Sequence, residues 1–304
     1  MFLHEFPDIH WLKAQIKTGF ENQLSWDGRK LKQPGWPSVI LNAKANKVHR
    51  ENITGPLSFF TNISGNSLVN AGKKELSVNE NTFLISNSKQ EYSLHIPLQA
   101  KTFNIHVGDK LASEVWYYAT HSSKYLLDSP EEVFTTIEFH NRVHWRDDYF
   151  NALIGKLAHY ESETEEQELI GELLLRLADT EIKHQQSANQ LKVAKVATRE
   201  EIIRRLYLAA DYIYSNFNKD VSLGLLSRIS CLSKFHLVRL FKEYFQETPH
   251  QFITRIRLEK SVCHLKSSDF GIKEISEKVG IKNASSFSRL FRHHFGVYPS
   301  QYKV

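Results

Sequence analysis

Two short sets of side chains, about fifty residues apart, have the types and spacing to do chemistry. The first is Lys234, Phe235, Val238, Arg239 and Lys242; the second is Ala284, Ser285, Ser286, Ser288, Arg289 and Arg292. Arginine pairs bidentately with guanine O6 and N7, serine bonds to bases or phosphates, and apolar side chains touch the thymine methyl. Lys242 and Arg292, a turn further on, suit phosphates, which orient a protein on a duplex without reading its sequence. The plainer alternative is two solvated basic helix faces.

The elements that must present these side chains repeat. Leu223, Leu226, Ser227, Cys231 and Leu232 match Ile272, Ile275, Ser276, Gly280 and Ile281 at an offset of 49. Leu237, Arg239, Leu240, Phe241, Phe245, Pro249 and Phe252 match Phe287, Arg289, Leu290, Phe291, Phe295, Pro299 and Tyr302 at an offset of 50. The slip of one falls inside the turn, where an insertion is most easily absorbed. Each copy reads as a short helix, a tight turn and a longer helix. In the first, Ser222 caps Leu223 to Ile229 and Ser233 caps a helix to about Phe245. In the second, Ile272 to Val279 is the short helix, Gly280 the turn and Ala284 to Phe295 the longer helix. Leu237, Leu240 and Phe241, with Phe287, Leu290 and Phe291, are the expected buried sides. This is a helix-turn-helix, whose second helix lies in the DNA major groove. A helix over Ile202 to Phe217 precedes the pair.

Charge agrees with that placement. Residues 199–304 hold 18 Lys and Arg against 10 Asp and Glu, while residues 1–198 hold 21 against 24. A basic C-terminal half beside a near-neutral remainder suggests that only the former meets a polyanion.

Residues 199–304 closely resemble the DNA-binding domain of AraC/XylS-type transcription regulators. The resemblance rests on Ser233-Lys-Phe-His-Leu-Val-Arg-Leu-Phe-Lys242, Arg257-Leu258, Gly280-Ile281, Ser286-Phe-Ser-Arg-Leu-Phe-Arg292, Phe295-Gly296 and Tyr298-Pro-Ser-Gln-Tyr302. It implies two helix-turn-helix units joined by one long helix, here Pro249 to about Lys266, with the recognition helices entering successive major grooves. The chain departs from the pattern at Cys231, where Gly is usual, at Gln246, whose second-copy counterpart is Gly296, and at Ile281, where Phe is usual. A non-Gly residue at Cys231 or Gln246 must take a left-handed backbone or shift the turn. The serines of the second recognition helix replace longer polar side chains, which favours phosphate contacts there.

The first half has another texture. Ser38-Val-Ile-Leu41, Leu57-Ser-Phe-Phe60, Ser67-Leu-Val69, Thr82-Phe-Leu-Ile85, Tyr92-Ser-Leu-His-Ile96 and Phe103-Asn-Ile-His-Val107 are short β-branched and aromatic runs separated by turn signals. From Pro34 to about Thr120 this predicts a small antiparallel barrel or jelly roll. Ser67 to Gln90 is similar to the cupin-like barrel that family members often carry. The expected fold is therefore α+β: a cupin-like effector-binding and dimerisation domain over 1–185, a linker over 186–198 and the DNA-binding domain over 199–304. Phe60, Phe83, Tyr92, His95, Phe103, His106 and Trp116 are expected to wall an effector pocket, on strands that extend to Tyr118. Leu169, Ile170, Leu173, Leu174 and Leu177 form one apolar stripe of a helix, available to the core or to a homodimer contact.

The remaining chemistry is sparse. Two cysteines, Cys231 and Cys263, in 304 residues argue against a disulfide scaffold and a cysteine-rich zinc module. His49, His95 and His106 lack the His-x-His spacing of a cupin metal site, and His140 and His144 have no metalloprotease-type Glu between them. No phosphate loop, dinucleotide fingerprint or nucleophile elbow is present. No apolar run is long enough to span a bilayer, and Met1 to Lys13 is too polar for a signal peptide. The expectation is a cytoplasmic, non-enzymatic, sequence-specific regulator without cofactor or metal. Its expected partners are double-stranded DNA, a small-molecule effector, a second copy and RNA polymerase. Two alternatives stay open: an effector-free architectural protein, and an enzymatic barrel fused to a DNA-binding domain.

Overall fold

A computed structural model of the chain describes residues 1–8, 36–45, 47–71, 74–97, 99–120, 138–139, 142–191, 196–267 and 269–302. It divides into two compact units, Met1–Glu181 and Ile182–Val304. The predicted turn residue Gly72, His140 and residues 192–195 of the expected linker lie outside the described residues. No helix among the described residues is long and apolar enough to cross a membrane.

The strands of the first unit are β1 (Phe2–Leu3), β2 (Val39–Lys44), β3 (Val48–Thr54), β4 (Ser58–Ser64), β5 (Ser67–Ala71), β6 (Lys74–Val78), β7 (Thr82–Ser86), β8 (Glu91–Ile96), β9 (Lys101–His106) and β10 (Val143–Trp145). Among the described residues they form two sheets, ordered β1-β2-β9-β4-β7-β10 and β3-β8-β5-β6. All pairings are antiparallel except β1 with β2. The expected barrel is therefore not closed: among the described residues no strand of one sheet pairs through its backbone with a strand of the other, and the Asn62 side chain on β4 bridges them by donating to Ser67 Oγ at 3.0 Å and to the Val78 carbonyl at 2.8 Å. Helices α1 (Asp109–Thr120) and α2 (Asp148–Leu157), with the part of α3 (Glu163–Gln190) up to Glu181, complete the unit. They cover the far face of the larger sheet, which is therefore buried on both sides. Along β4, Phe59 enters the helix-side core and Phe60 the sheet-side core; along β7, Phe83 and Leu84 divide in the same way. A strand covered on both faces reads as a continuous apolar run, which is why β4 and β7 stand out in the sequence.

Three expectations are corrected here. Residues 109–120 form a helix, so Trp116 and Tyr118 are not on strands: Leu111, Ala112, Val115, Trp116 and Ala119 fall at helical spacing on the helix-side core. Leu169, Ile170, Leu173 and Leu174 are buried in that same core, with Leu177 partly buried against it. Their apolar surface is spent within one chain, which leaves little of the stripe for a second copy. Finally, α3 runs through Gln190, so the first five positions of the expected linker are helical.

The second unit contains helices α4 (Val196–Asn216), α5 (Leu223–Ser230), α6 (Lys234–Phe245), α7 (Pro249–Ser267), α8 (Ile272–Lys278), α9 (Ala284–Phe295) and α10 (Pro299–Tyr302). The second copy of the repeat packs on the latter part of α7, through Leu258, Val262 and Leu265 against Ile275, Val279, Phe287 and Phe291. The long helix is thus expected and present.

Candidate functional site

The repeat in the sequence is a repeat in space. Ser227 Oγ donates to the Leu232 carbonyl at 2.5 Å, and Ser276 Oγ donates to the equivalent Ile281 carbonyl, so each small serine ties a short helix to the exit of its turn. Ring centroids of Phe241 and Phe245 lie 4.5 Å apart, and those of Phe291 and Phe295 also 4.5 Å. The Phe241–Phe252 and Phe245–Phe252 separations, 5.3 and 5.5 Å, become 5.4 and 5.7 Å for Phe291–Tyr302 and Phe295–Tyr302. Thr248 N donates to Gln251 Oε1 at 2.9 Å, and Tyr298 N to Gln301 Oε1 at 2.9 Å. The short α10 is thus the counterpart of the first turn of α7.

Each candidate recognition helix is capped where it must begin. Ser233 Oγ accepts from His236 N at 3.3 Å and Asn283 Oδ1 from Ser286 N at 2.8 Å, satisfying amides that a helix start leaves unpaired. The turns before and after carry left-handed residues: Cys231 at φ 51°, Gln246 at 62°, Gly280 at 85° and Gly296 at 78°. The two non-glycine positions thus accept the left-handed backbone rather than shifting the turn. Gly280 is doubly constrained, since a Cβ there would meet the Asn218 carbonyl oxygen at 2.8 Å. Arg257 on α7 donates from Nε to the Phe217 carbonyl at 2.7 Å and from Nη2 to the Lys219 carbonyl at 2.8 Å, fixing the end of α4.

The faces left to solvent are close to those expected. On α6, Lys234, Phe235, Arg239 and Lys242 are exposed and Val238 is half-buried. Phe235 is 75% exposed, against full burial for Leu237 and Phe241 on the opposite side. Arg239 and Lys242 form no ion pair among the described residues. On α9, Ser285, Arg289 and Arg292 are exposed and Ala284, Ser286 and Ser288 half-buried. Ser288 Oγ donates to the Ala284 carbonyl at 3.0 Å, and Ser286 Oγ accepts from Arg289 Nη2 at 3.5 Å. Arg292 lies 4.7 Å from the Tyr298 ring centre and donates to its hydroxyl at 2.5 Å, whereas its counterpart Lys242 makes no such contact among the described residues. Leu290, expected inside, is 38% exposed; Phe287 and Phe291 suffice to fill the second core. His236 is exposed on α6 and belongs with the candidate contacts; its place outside the apolar stripe was the signal for it.

The residues expected to wall one pocket are split among several places in the first unit. Phe60, Tyr92 and His106 line a cavity of about 250 Å³ between the two sheets. Phe83 and Phe103 lie in the helix-side core, with Trp116 packed against it. His95 alternates with buried neighbours on β8 and its ring stands 5.6 Å from that of His49. Trp36, Arg50 and Asn104 also line the cavity and were not anticipated. Arg50 sits in β3, a strand whose polar text, Val-His-Arg-Glu-Asn-Ile-Thr, gives a weak strand signal. Burial pushes the Tyr92 phenol up to about 12, despite nearby Arg50. Burial, and then the Arg50 charge, lowers the His106 pKa to about 4, so its imidazole is neutral at pH 7.

Comparison with known proteins bears on the second unit. A helix-turn-helix domain family matches residues 226–303. The raffinose operon transcriptional regulatory protein RafR of Pediococcus pentosaceus is 30% identical over 96 residues, 32% of this chain and 35% of RafR. The multiple antibiotic resistance protein MarA of Salmonella typhimurium is 30% identical over 94 residues, 31% of this chain and 74% of MarA. A solved C-terminal domain of AraT, a response regulator from Geobacillus stearothermophilus, is 33% identical; the match covers 34% of this chain and 83% of that domain, with a TM-score of 0.31. The matched stretch spans about a third of the length of RafR and somewhat over half of LumQ, a probable transcriptional regulator of Photobacterium leiognathi (35% and 58%).

Proposed function

The chain belongs to the AraC family of transcription regulators, and from that premise we propose that it is a sequence-specific, double-stranded DNA-binding regulator. One observation carries the proposal: two capped helices, held in equivalent aromatic frames, each bury one side and leave an arginine-bearing side exposed. In this reading α6 and α9 each enter a major groove. Arg239 and Arg289 pair with guanine edges, Phe235 and Val238 meet apolar base edges, and Lys242 holds a phosphate. Ser285, Ser286 and Ser288 approach the backbone or bases from α9. Arg292, held by Tyr298, offers a phosphate a more rigid cation than Lys242 does.

The first unit is proposed to bind a small-molecule effector in the cavity between its sheets, and the support is the set of polar side chains facing that cavity. Bound ligand shifts an equilibrium only by its difference in affinity for the two states, so tight binding is unnecessary. The test is selection of duplexes from a random library by the full chain, followed by titration of selected and scrambled duplexes. Equal affinity for both, or no loss of discrimination in the Arg239→Ala, Arg289→Ala double variant, would refute base reading by these helices.

A further inference from the structure

We propose that the cavity between the two sheets takes a small hydroxy-carboxylic acid, its carboxylate on Arg50 and its hydroxyl donating to His106. The proposal rests on the effector reading and gives it a chemical class. Three side chains carry it, each with hydrogen-bonding capacity that no described protein group uses.

Arg50 supplies the charge. Its Nη2 donates to the Pro7 carbonyl at 2.5 Å, and its guanidinium carbon lies 5.7 Å from the centre of the Phe6 ring. Among the described residues no carboxylate forms an ion pair with it. Burial lowers its pKa, while Tyr92 and Asp8 act in the opposite direction. Asp8 acts on this partly desolvated cation without a direct ion pair, and an anion in the cavity relieves the remaining cost of its burial. Tyr92 is almost wholly buried, lines the same cavity and has no hydrogen-bond partner for its hydroxyl among the described residues. Neutral at pH 7, it is a second donor to an anion.

His106 supplies the opposite polarity. Ser58 has one hydroxyl proton, which goes to the Pro56 carbonyl at 2.8 Å. The 2.8 Å contact between Ser58 Oγ and His106 Nδ1 is then an Nδ1–H donating to the hydroxyl oxygen. With the ring neutral, Nε2 carries a lone pair and no proton, and no described group donates to it. The ring borders the cavity, so Nε2 is the acceptor for a ligand donor. Trp36, Leu41, Phe60 and Leu94 make much of the remaining wall apolar. A fitting molecule needs an anionic end, a donor set apart from it and a compact apolar body, and a hydroxy acid has all three. Glu51 also lines the cavity, but its Oε1 is engaged by His49 Nε2 at 3.0 Å, so an amine would meet the like charge of Arg50 and a carboxylate already engaged, and an inorganic anion would leave Nε2 and the apolar wall unmet.

The test is calorimetric titration of the full chain with matched probes: mandelate, phenylacetate (which lacks the hydroxyl), mandelamide (which lacks the charge), and 3-hydroxybutyrate as an aliphatic counterpart. At least one hydroxy acid should bind, the matched acid without hydroxyl about tenfold more weakly, and the amide about tenfold or more below the acid. Arg50→Met should erase the preference for acid over amide, and Arg50→Lys should restore part of it. His106→Phe should equalise mandelate and phenylacetate while leaving the preference for acid intact. Acids and amides binding the wild-type chain alike, or a hydroxyl preference surviving in His106→Phe, would overturn the class and leave the effector reading standing. Binding of mandelamide or of a simple amine such as benzylamine, with no acid bound, would do the same. No binding by any of these probes would overturn both.

Discussion

Phe235 is where stability and binding can be separated most cleanly. At 75% exposure it is the most exposed large apolar side chain among the described residues, and it stands in the first turn of α6 between Lys234 and His236. Removing it costs the free chain little, because among the described residues its ring meets no other ring but that of His236, 6.0 Å away. On DNA the balance reverses. A phenylalanine presents at least ~150 Å², and covering three-quarters of that at ~25 cal/mol/Å² is worth about 3 kcal/mol. Contact with a thymine methyl covers only part of the ring, so Phe235→Ala should cost about 1–2 kcal/mol, roughly a tenfold rise in Kd. Fluorescence-anisotropy titrations should use a selected duplex and the same duplex with uracil replacing thymine one position at a time. Wild type should lose affinity at one or two thymines in the half facing α6, and Phe235→Ala should be indifferent there. The unfolding midpoint should be unchanged. A uniform loss on scrambled DNA, a marked loss of stability, or the same thymine dependence in the variant would refute the reasoning.

Other expectations follow from the same geometry. Arg239→Ala should cost about 1–3 kcal/mol on a selected duplex and relax preference at one base pair, whereas Lys242→Ala should weaken all duplexes alike and reduce the salt slope by about one unit; titrations at several salt concentrations separate the two. Gly296→Ala should lose about 1–2 kcal/mol from its left-handed backbone alone, and Gly280→Ala clearly more, because its Cβ also collides with Asn218; urea unfolding of both variants checks the order. His106 is less basic folded than unfolded, so the unfolded chain takes up the proton first. Its contribution to stability is whole above about pH 6.5 and falls as pH drops toward 4, by about 3 kcal/mol at the limit; His106→Gln should flatten that slope in unfolding measured between pH 7 and pH 4.5.

The second unit was legible because its information is local and written twice. Capping residues, turn positions and apolar stripes recur at nearly constant offset, so each copy checks the other. Leu290 escaped because the repeat pairs it with Leu240, yet the frame around Phe287 and Phe291 closes without it. The first unit was legible only where burial is two-sided. Runs such as Thr82–Ser86 announce a covered central strand, while β3 and β6 at the edges of the smaller sheet are polar and carry little signal. The helix at 109–120 has the same spacing of apolar residues as the stripe at Leu169. It was hidden because Val115, Trp116, Tyr117 and Tyr118 have the composition of a strand, and periodicity decides over composition there. The split of the aromatic set follows from alternation: neighbours on one strand face opposite cores, so a list of aromatics on strands cannot be a list of one cavity's walls.

The matched aromatic triangles also bear on how such a chain can change over generations. Phe241, Phe245 and Phe252 hold one candidate recognition helix, and Phe291, Phe295 and Tyr302 hold the other, at separations that agree within 0.2 Å. What supports each helix is therefore separate from what it displays. Phe235 and Val238 in one copy have become Ser285 and Ser288 in the other while the supporting rings kept their places. Substitutions on surfaces that share no partners act independently. If the two helices read DNA as proposed, one half of the target can thus be rewritten while the other half keeps the protein on its site, and a new specificity is reachable in single steps rather than by simultaneous change.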